Sequence, residues 1–307
     1  MNPSFERDLI EGLSAPQKTI PPKWFYDAEG SRLFEAITGT PEYYPTRQET
    51  ALLTRIAPEL AAALPDGAVL VEFGSGASEK TRILLDAAPG LRAYVPVDIS
   101  ADALAAAARR IAADYPDLEV APVAGDFMGR ITVPPQLAGA PRTGFFPGST
   151  IGNFSPEAAA AFLASARGWL GEGAVLILGV DLVKDPAVLT AAYNDAQGLT
   201  ARFNLNVLAR ANAELGADFD LGAFEHRAMW NPRAERIEMH LVSTRDQTVR
   251  IGDQTFAFAT GETIHTENSH KFTPERLDRL ARAGDWSVRR LWTSDAPAVG
   301  VALLEAA

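Results

Sequence analysis

The chain has 307 residues, 47% of them hydrophobic, which is enough to build the core of one large domain or of two modest domains. Its formal net charge of −11 repels phosphate backbones and anionic lipid headgroups, so neither a nucleic-acid partner nor a membrane partner is expected. Cysteine is absent and the four histidines (His226, His240, His265 and His270) show no ligand spacing, so we expect neither disulfides nor a metal site.

The first 22 residues are predicted to form an arm laid over the body of the protein rather than a core element, and a short amphipathic helix is expected to start there. They lack strong periodicity, begin with a polar and acidic segment, and end in Pro21-Pro22. No basic leader and no apolar run of 18 residues follows, which predicts a cytoplasmic protein. We expect it to act on a small molecule as a monomer.

Residues 23–45 are rich in aromatic side chains, and residues 31–37 are predicted to form a helix. Most of these rings are expected to be packed. Thr46 and Glu49 have the spacing of a capping box, which predicts a helix from Arg47 to about Leu64.

A glycine turn follows residues 69–73, which form a short β-prone run. Gly74 and Gly76 permit backbone conformations that other residues avoid, and the next helix presents free N–H groups to a ligand. A dinucleotide fingerprint requires a third glycine where Glu79 stands, and no Gly-Lys-Ser/Thr ending is present to bind a triphosphate. Together with the acidic Glu72, the turn suits S-adenosylmethionine, although an ordinary β-turn-α corner is the alternative.

Repeated alternation of strands and helices predicts a parallel sheet. Further strands are expected at 93–98, 118–123, 143–147 and 174–180, with helices at 78–88, 101–114 and 156–170. Ligands bind beyond the carboxyl ends of such strands, so Gly74, Asp98, Asp126 and Asn153 should share one rim. Asp98 could accept hydrogen bonds from both ribose hydroxyls, and the alternative is that it caps the next helix. Asp126 would lie near the adenine amino group, and the Phe127 ring would pack against the adenine.

Beyond Asp185 this alternation stops. Helices are predicted at 187–194 and 202–215, and alternating segments at 236–243 and 248–251 indicate antiparallel strands of a smaller domain. Thr273 begins another helix, and strands at 287–292 and 299–304 are expected to return to the main sheet.

Several motifs resemble those of the class I S-adenosylmethionine-dependent methyltransferases and, more narrowly, the ergothioneine-pathway histidine Nα-methyltransferases. The motifs span nearly the whole chain: Tyr26-Asp27, Gly30-Ser31, Leu33-Phe34, Pro41-Glu42-Tyr43-Tyr44-Pro45-Thr46-Arg47, Glu72-Phe73-Gly74-Ser75-Gly76 with Glu79-Lys80-Thr81, Pro147-Gly148-Ser149-Thr150-Ile151-Gly152-Asn153-Phe154, and Thr266-Glu267-Asn268-Ser269 before Lys271-Phe272. The tyrosine-rich and Gly-Asn-Phe motifs are the specific ones, because many methyltransferases share the glycine turn.

This resemblance implies an α/β fold: a Rossmann-like class I methyltransferase sheet with a second, smaller α+β domain. The cofactor-binding domain would comprise residues 47–182 and 272–307, and the substrate-binding domain residues 1–46 and 183–271, closing over the cofactor rim. The implied activity is transfer of three methyl groups from S-adenosylmethionine to the α-amine of L-histidine, which yields hercynine for ergothioneine biosynthesis.

The resemblance also implies roles for individual residues. Tyr43 and Asn153 would handle the substrate amine and carboxylate and act in catalysis, Tyr193 would bind the carboxylate, and Glu267 with Ser269 would bind the imidazole. The pocket would be shaped by Tyr26, Phe34, Gly148 and Met239, and the cofactor held by Gly74, Lys80, Asp98, Asp126 and Phe127.

Each of these residues also has an ordinary structural interpretation. Tyr43 could be a packing residue, Asn153 a turn former and Glu267 a solvated loop charge, while the four histidines are expected to be structural or exposed. Two other functions are compatible with the sequence: methylation of a different amino acid or amine, and a non-catalytic module that binds S-adenosylmethionine. An aminopropyl transferase is disfavoured because no acidic cluster for a polyamine is visible.

Overall fold

The computed structural model describes residues 3–76, 79–99, 101–129 and 134–306. The chain forms two compact units, which we number 1 and 2. Unit 1 contains Met1–Tyr44 and Lys184–Lys271, and unit 2 contains Pro45–Val183 and Phe272–Ala307. Within the described ranges, no helix is both long and apolar enough to cross a membrane.

The helices and strands are numbered here in chain order. The helices are α1 Pro3–Ser14, α2 Ala28–Thr38, α3 Tyr44–Ala63, α4 Glu79–Ala87, α5 Ala101–Asp114, α6 Pro156–Leu170, α7 Pro186–Ala192, α8 Leu199–Leu215 and α9 Pro274–Ala283. The strands are β1 Lys18–Thr19, β2 Val69–Phe73, β3 Ala93–Asp98, β4 Glu119–Val120, β5 Val123–Ala124, β6 Arg142–Phe146, β7 Val175–Asp181, β8 Phe224–Asn231, β9 Arg236–Ser243, β10 Gln247–Ile251, β11 Gln254–Phe258, β12 Thr263–His270, β13 Trp286–Thr293 and β14 Val299–Ala306.

Unit 2 is built on one sheet with the strand order β13-β14-β7-β6-β2-β3-β4, and β5 also pairs with β3. The strands from β2 to β7 are parallel, whereas β14 runs antiparallel to both β7 and β13. All five residues of β2 and all seven of β7 are buried. Continuous apolar runs of this kind are typical of parallel strands covered on both faces.

Unit 1 has a four-stranded sheet with the order β1-β12-β9-β8 and a separate β10-β11 hairpin. Strand β12 runs antiparallel to β9 and parallel to β1. Helices α2 and α8 pack against each other, and α8 also packs on β8 and β9. This arrangement places β12 in the interior of the sheet, where its side chains are mostly buried.

Most elements of unit 2 lie where the sequence predicts them. Strand β3 and helix α5 match the predicted bounds, and Ser155 caps α6 by accepting from the N–H of Ala158 at 3.2 Å. The predicted strand at 118–123 is instead two short strands, β4 and β5. The predicted start of α4, at residue 78, lies outside the described residues.

The predicted capping box at Thr46 is wrong. Helix α3 begins at Tyr44, with Pro45 in its first turn, where a missing N–H costs no intrahelical hydrogen bond. Thr46 therefore lies inside the helix, and the Glu49 side chain is available for another role.

Unit 1 differs from the prediction in two respects. The N-terminal segment forms the short amphipathic helix expected there, α1, but its Phe5, Leu9 and Leu13 are buried, so it is a packed core element rather than an arm. Strands β8, β11 and β12 were not predicted. Glu267 lies in β12 and is 8% exposed, so its interpretation as a solvated loop charge is wrong.

Candidate active site

The glycine turn of unit 2 has the backbone geometry that its sequence indicates. Gly74 and Gly76 have φ values of 68° and 49°, in the left-handed region that favours glycine. The N–H groups of Gly74 and Ser75 donate to the carbonyl of Val97 at 2.8 and 3.2 Å, which ties the turn to β3. Among the described residues, a Cβ on Gly76 would meet no atom within 4 Å, so this side of the turn has room for a ligand.

Asp98 and Phe127 adjoin this turn. Asp98 Oδ2 accepts from the N–H of Gly76 at 3.1 Å, and a Cβ on Gly74 would lie 3.4 Å from Phe127 Cε1. The Phe127 ring packs against Phe146, with centroids 5.5 Å apart. The structure thus brings together the glycine turn, Asp98 and Phe127, and two of the four predicted rim positions, Gly74 and Asp98, lie in this group.

Asp126 is exposed, and its Oδ1 accepts from the N–H of Met128 at 2.8 Å. Two large apolar side chains beside these acidic residues are also exposed: Ile99 by 54% and Met128 by 39%. Exposed apolar groups next to carboxylates suit a flat heteroaromatic ring with polar edges. We did not predict Ile99 or Met128, although Ile99 directly follows Asp98 and Met128 lies two residues after Asp126.

Lys80 is paired with a buried carboxylate, Glu49, which was predicted as part of a helix cap and not as a site residue. Its Nζ donates to Glu49, whose two oxygens also accept from the N–H of Gly148 at 2.8 and 2.9 Å. Glu49 is 4% exposed, and a Cβ at Gly179 would overlap its Oε1. Glu49 therefore links α3, α4 and the loop after β6.

Glu72 does not line the open side of the turn. Its carboxylate accepts from Thr81 Oγ1 at 2.6 Å and from the hydroxyl of Tyr94, and it is 2% exposed. Burial raises the pKa of Glu72 to about 7. Glu72 therefore connects β2 to α4 through Thr81 and to β3 through Tyr94.

The loop after β6 carries Gly148 and Asn153. Gly148 has a φ of 82° and Ser149 a φ of 57°, and Ser149 Oγ accepts from the N–H of Asp181 at 2.8 Å. Asn153 is half-buried and ends the helical turn Thr150–Asn153. It therefore lies at the carboxyl end of β6, where the rim was predicted.

In unit 1, β12 presents Glu267 and Ser269 on one face, because side chains two residues apart in a strand point the same way. Lys271 follows two residues later. Met239 of β9 is the register partner of Glu267, and a β-bulge lies between His265 and Glu267. Bulges re-aim side chains and are common next to active sites.

The Glu267 carboxylate has no hydrogen-bond partner within the described part of the chain. Burial raises the pKa of this carboxyl to about 7, and the nearby charge of Lys271 opposes the rise. A buried acceptor without a donor is costly, so it fits a ligand that supplies an N–H.

Ser269 is bonded to Tyr193 and Lys271. The hydroxyl of Tyr193 donates to Ser269 Oγ at 2.7 Å, and Lys271 Nζ donates to Ser269 Oγ at 2.8 Å and to the Tyr193 oxygen at 3.2 Å. Lys271 is fully buried. Lys271 belongs to the last of the motifs given above, but no role was predicted for it. Its two-residue spacing from Ser269 becomes informative once β12 is recognised as a strand.

Aromatic rings of unit 1 form a continuous group beside Tyr193. Tyr43 lies edge-on to Tyr193 with centroids 6.2 Å apart, Phe34 is 6.1 Å from Tyr43, and Tyr26 is 5.7 Å from Phe34. Phe203 of α8, which was not predicted, is 6.0 Å from Phe34. The structure therefore brings together Tyr26, Phe34, Tyr43 and Tyr193.

Strands β9 and β12 also bring together Glu238, His240 and His265, whose ligand atoms lie within 4.8 Å of one another. This proximity was not visible from sequence spacing. Glu238 Oε1 accepts from Arg236 Nε and from Asn231 at 2.8 Å, and Oε2 lies 3.1 Å from His240 Nε2. Both carboxylate oxygens are thus engaged by side chains of the protein.

A profile of the family described as "Histidine-specific methyltransferase, SAM-dependent" matches residues 5–306. The chain belongs to this family. It is therefore an S-adenosylmethionine-dependent methyltransferase. The predicted family, enzyme class and cofactor are confirmed.

Similar proteins agree with this membership. The "Histidine N-alpha-methyltransferase" of Mycolicibacterium smegmatis is 49% identical, with 98% of this chain and 94% of the relative covered. "Ergothioneine biosynthesis protein 1" of Neurospora crassa is 31% identical over 86% of this chain and 30% of that longer protein. The CcbJ methyltransferase of Streptomyces caelestis, 16% identical, has a TM-score of 0.50 over 88% of this chain and 98% of its own. This last likeness confirms the predicted fold class.

Proposed function

We propose that this histidine-specific methyltransferase transfers three methyl groups from S-adenosylmethionine to the α-amine of L-histidine, giving hercynine. The observation that carries the proposal is the buried Glu267 carboxylate, which lacks a hydrogen-bond donor among the described residues and stands beside Ser269. An imidazole N–H would satisfy this carboxylate, and the hydroxyl of Ser269 would meet the second ring nitrogen. The relatives named for histidine methylation and for ergothioneine biosynthesis support the same acceptor.

We assign cofactor binding to unit 2. Asp98 would accept from the ribose hydroxyls, Asp126 from the adenine amino group, and Phe127 would pack against the base. The turn at Gly74 would donate backbone hydrogen bonds to the amino-acid end of the cofactor. Lys80, whose charge is balanced by Glu49, would contribute to that end of the site.

We assign recognition of histidine chiefly to unit 1. Glu267 and Ser269 would bind the ring, and the proposed pocket residues are Tyr26, Phe34, Gly148 and Met239. Tyr193 is a further proposed substrate-binding residue, and its hydroxyl donates a hydrogen bond to Ser269 Oγ. Two polar contacts on one ring discriminate strongly, because a side chain without nitrogen would leave a buried carboxylate unpaired.

Bound S-adenosylmethionine supplies the electrophilic methyl group, so the protein has only to orient the nucleophile and keep it neutral. We propose that Tyr43 and Asn153 bind the α-amine and hold its lone pair in line for attack. The proton of the amine would be lost to water by way of the Tyr43 hydroxyl. After the first and the second transfer the methylated amine would lose a proton, and the same two groups would reorient the lone pair that this exposes.

The acceptor is identified by incubating the enzyme with S-adenosylmethionine and an equimolar mixture of the twenty amino acids, followed by mass spectrometry. We expect histidine alone to gain methyl groups, up to three, while S-adenosylhomocysteine accumulates. An enzyme sample without cofactor is the control. Methylation of another amino acid, with histidine unchanged, would contradict the proposal.

The proposal also covers the setting in which the enzyme works. From its net charge of −11 and its small-molecule chemistry, we propose a cytoplasmic monomer that needs neither a nucleic acid nor a membrane. Size-exclusion chromatography with light scattering tests the monomer. A stable dimer at micromolar concentration would contradict that part.

A further inference from the structure

Lys271 is a fully buried lysine whose ammonium group contacts the residues proposed to read the substrate ring. Its Nζ donates to Ser269 Oγ at 2.8 Å and to the Tyr193 oxygen at 3.2 Å, and it lies 4.8 Å from the centre of the Tyr193 ring. Burying an ammonium group is costly unless it is paired and hydrogen-bonded. Such a group is expected to have a role that an apolar side chain cannot fill.

The contacts of Ser269 determine which way its own proton points. A hydroxyl oxygen has two lone pairs and one O–H, and a lysine ammonium can only donate. Ser269 Oγ accepts from Lys271 and, at 2.7 Å, from the hydroxyl of Tyr193, which as a phenol is the more acidic of the two hydroxyls. Both lone pairs of Ser269 are then occupied, so Ser269 can only donate to a ligand.

Glu267, on the same face of β12, is complementary to Ser269. An ionised carboxylate can only accept, and no donor reaches it within the described residues. The pair therefore offers a ring one acceptor and one donor. A neutral imidazole has one N–H, which can donate to Glu267, and one bare nitrogen, which can accept from Ser269. An imidazolium has two N–H groups, so one of them would face the O–H of Ser269, which is also a donor.

We propose that Lys271 is a positioning residue that holds Ser269 as a hydrogen-bond donor and thereby makes the site take the histidine ring in its neutral form. The bare ring nitrogen faces Ser269 and the ring N–H faces Glu267. This inference rests on the proposed function, because it takes histidine as the substrate.

The other titratable groups beside the site do not supply an opposing charge. His226 Nε2 donates to the Tyr193 carbonyl at 2.9 Å, because Asn204 donates to its Nδ1, and His265 Nε2 lies 3.1 Å from the Glu267 carbonyl. Burial lowers the pKa of both histidines, which favours their neutral forms. Tyr43 lies against Tyr193 and is neutral at physiological pH. Among the described residues, the charge that acts on the Glu267 carboxyl is that of Lys271.

The test is the number of protons released when N,N,N-trimethylhistidine binds at pH 6, measured by titration calorimetry in buffers of different ionisation enthalpy. Its quaternary amine carries no proton, so only ring and protein groups contribute. With Glu267 at a pKa of about 7 and the imidazole near 6.5, binding of a neutral ring to an ionised Glu267 releases about 1.7 protons.

Lys271→Met keeps the length of the side chain and removes its charge and donors. Ser269 can then accept from an imidazolium, so the variant should release about one proton fewer than the wild type. Ser269→Ala, which keeps the ammonium as a donor, should bind more weakly with an unchanged count. Lys18→Met is the matched control, because Lys18 pairs with Glu262, the residue before β12, and its register partner in β12 is Ile264 rather than Ser269.

Equal proton counts in the wild type and in folded Lys271→Met would overturn the role of Lys271. A wild-type count below one would mean that the complex keeps a proton on the ring or on Glu267, and it would overturn the pairing of a neutral ring with an ionised Glu267. These outcomes leave the proposed function standing. Failure of trimethylhistidine to bind, together with no methylation of histidine in the twenty-amino-acid assay, would instead remove the proposed function and this inference with it.

Discussion

Replacing Glu267 by alanine should erase much of the preference for histidine. The carboxylate is 8% exposed and has no protein donor within the described residues, so a ring N–H would form its hydrogen bond. Hydrogen bonds to charged groups contribute about 1.5–3 kcal/mol, so kcat/KM for histidine should fall by roughly 10- to 150-fold. An apolar ring no longer buries an unpaired carboxylate, so its kcat/KM should rise.

The wild-type preference for histidine over phenylalanine should be about 10⁴-fold or more, because the site is built from polar contacts. In Glu267→Ala, kcat/KM should fall for histidine and rise for phenylalanine. The histidine-to-phenylalanine ratio of kcat/KM should therefore fall by roughly 10²- to 10⁴-fold. We would measure kcat/KM for histidine, phenylalanine and tryptophan in the wild type and in the variant. Glu262→Ala is the control, since Glu262 pairs with Lys18. An unchanged histidine-to-phenylalanine ratio in a folded Glu267→Ala protein would refute the assignment of Glu267 to the ring.

Three further results are expected. Asp98→Ala should weaken S-adenosylmethionine binding by about 1.5–3 kcal/mol, or roughly 10- to 150-fold, in titration calorimetry, and an unchanged affinity would remove Asp98 from the ribose site. Asn153→Ala and Tyr43→Phe should lower kcat while nearly preserving cofactor affinity, and full activity of both at saturating histidine would exclude them from orienting the amine. Glu267→Gln should raise thermal stability at pH 8. The pKa of Glu267 rises on folding from 4.5 to about 7, so the folded state pays a cost when this carboxyl ionises. The cost is about 3 kcal/mol above pH 7 and vanishes below pH 4.5. A melting temperature equal to that of the wild type at pH 8, or a gain of the same size at pH 4.5, would contradict this assignment of the cost.

Local sequence signals were sufficient for the parallel sheet of unit 2. Its strands are continuous apolar runs, and its helices start at recognisable caps such as Ser155 and Thr273. The glycines of the turn after β2 have the positive φ values that their position required. Each of these signals lies within a few residues and does not depend on distant parts of the chain.

The signals that failed depend on tertiary contacts. The spacing of Thr46 and Glu49 fitted a cap, but Glu49 binds Lys80 and the N–H of Gly148, which is 99 residues away in the chain. In β12, a bulge and a run of polar residues conceal the two-residue alternation. Lys271 resembles a surface lysine until its partners Ser269 and Tyr193 are known.

Trimethylation of the histidine α-amine is tested most directly by NMR of the product made with S-adenosylmethionine labelled with ¹³C in its methyl group. We expect one labelled resonance from three equivalent methyl groups on the α-nitrogen, with the imidazole nitrogens unmodified. Label on a ring nitrogen, or a reaction that stops after one methyl group at excess cofactor, would contradict the proposed function.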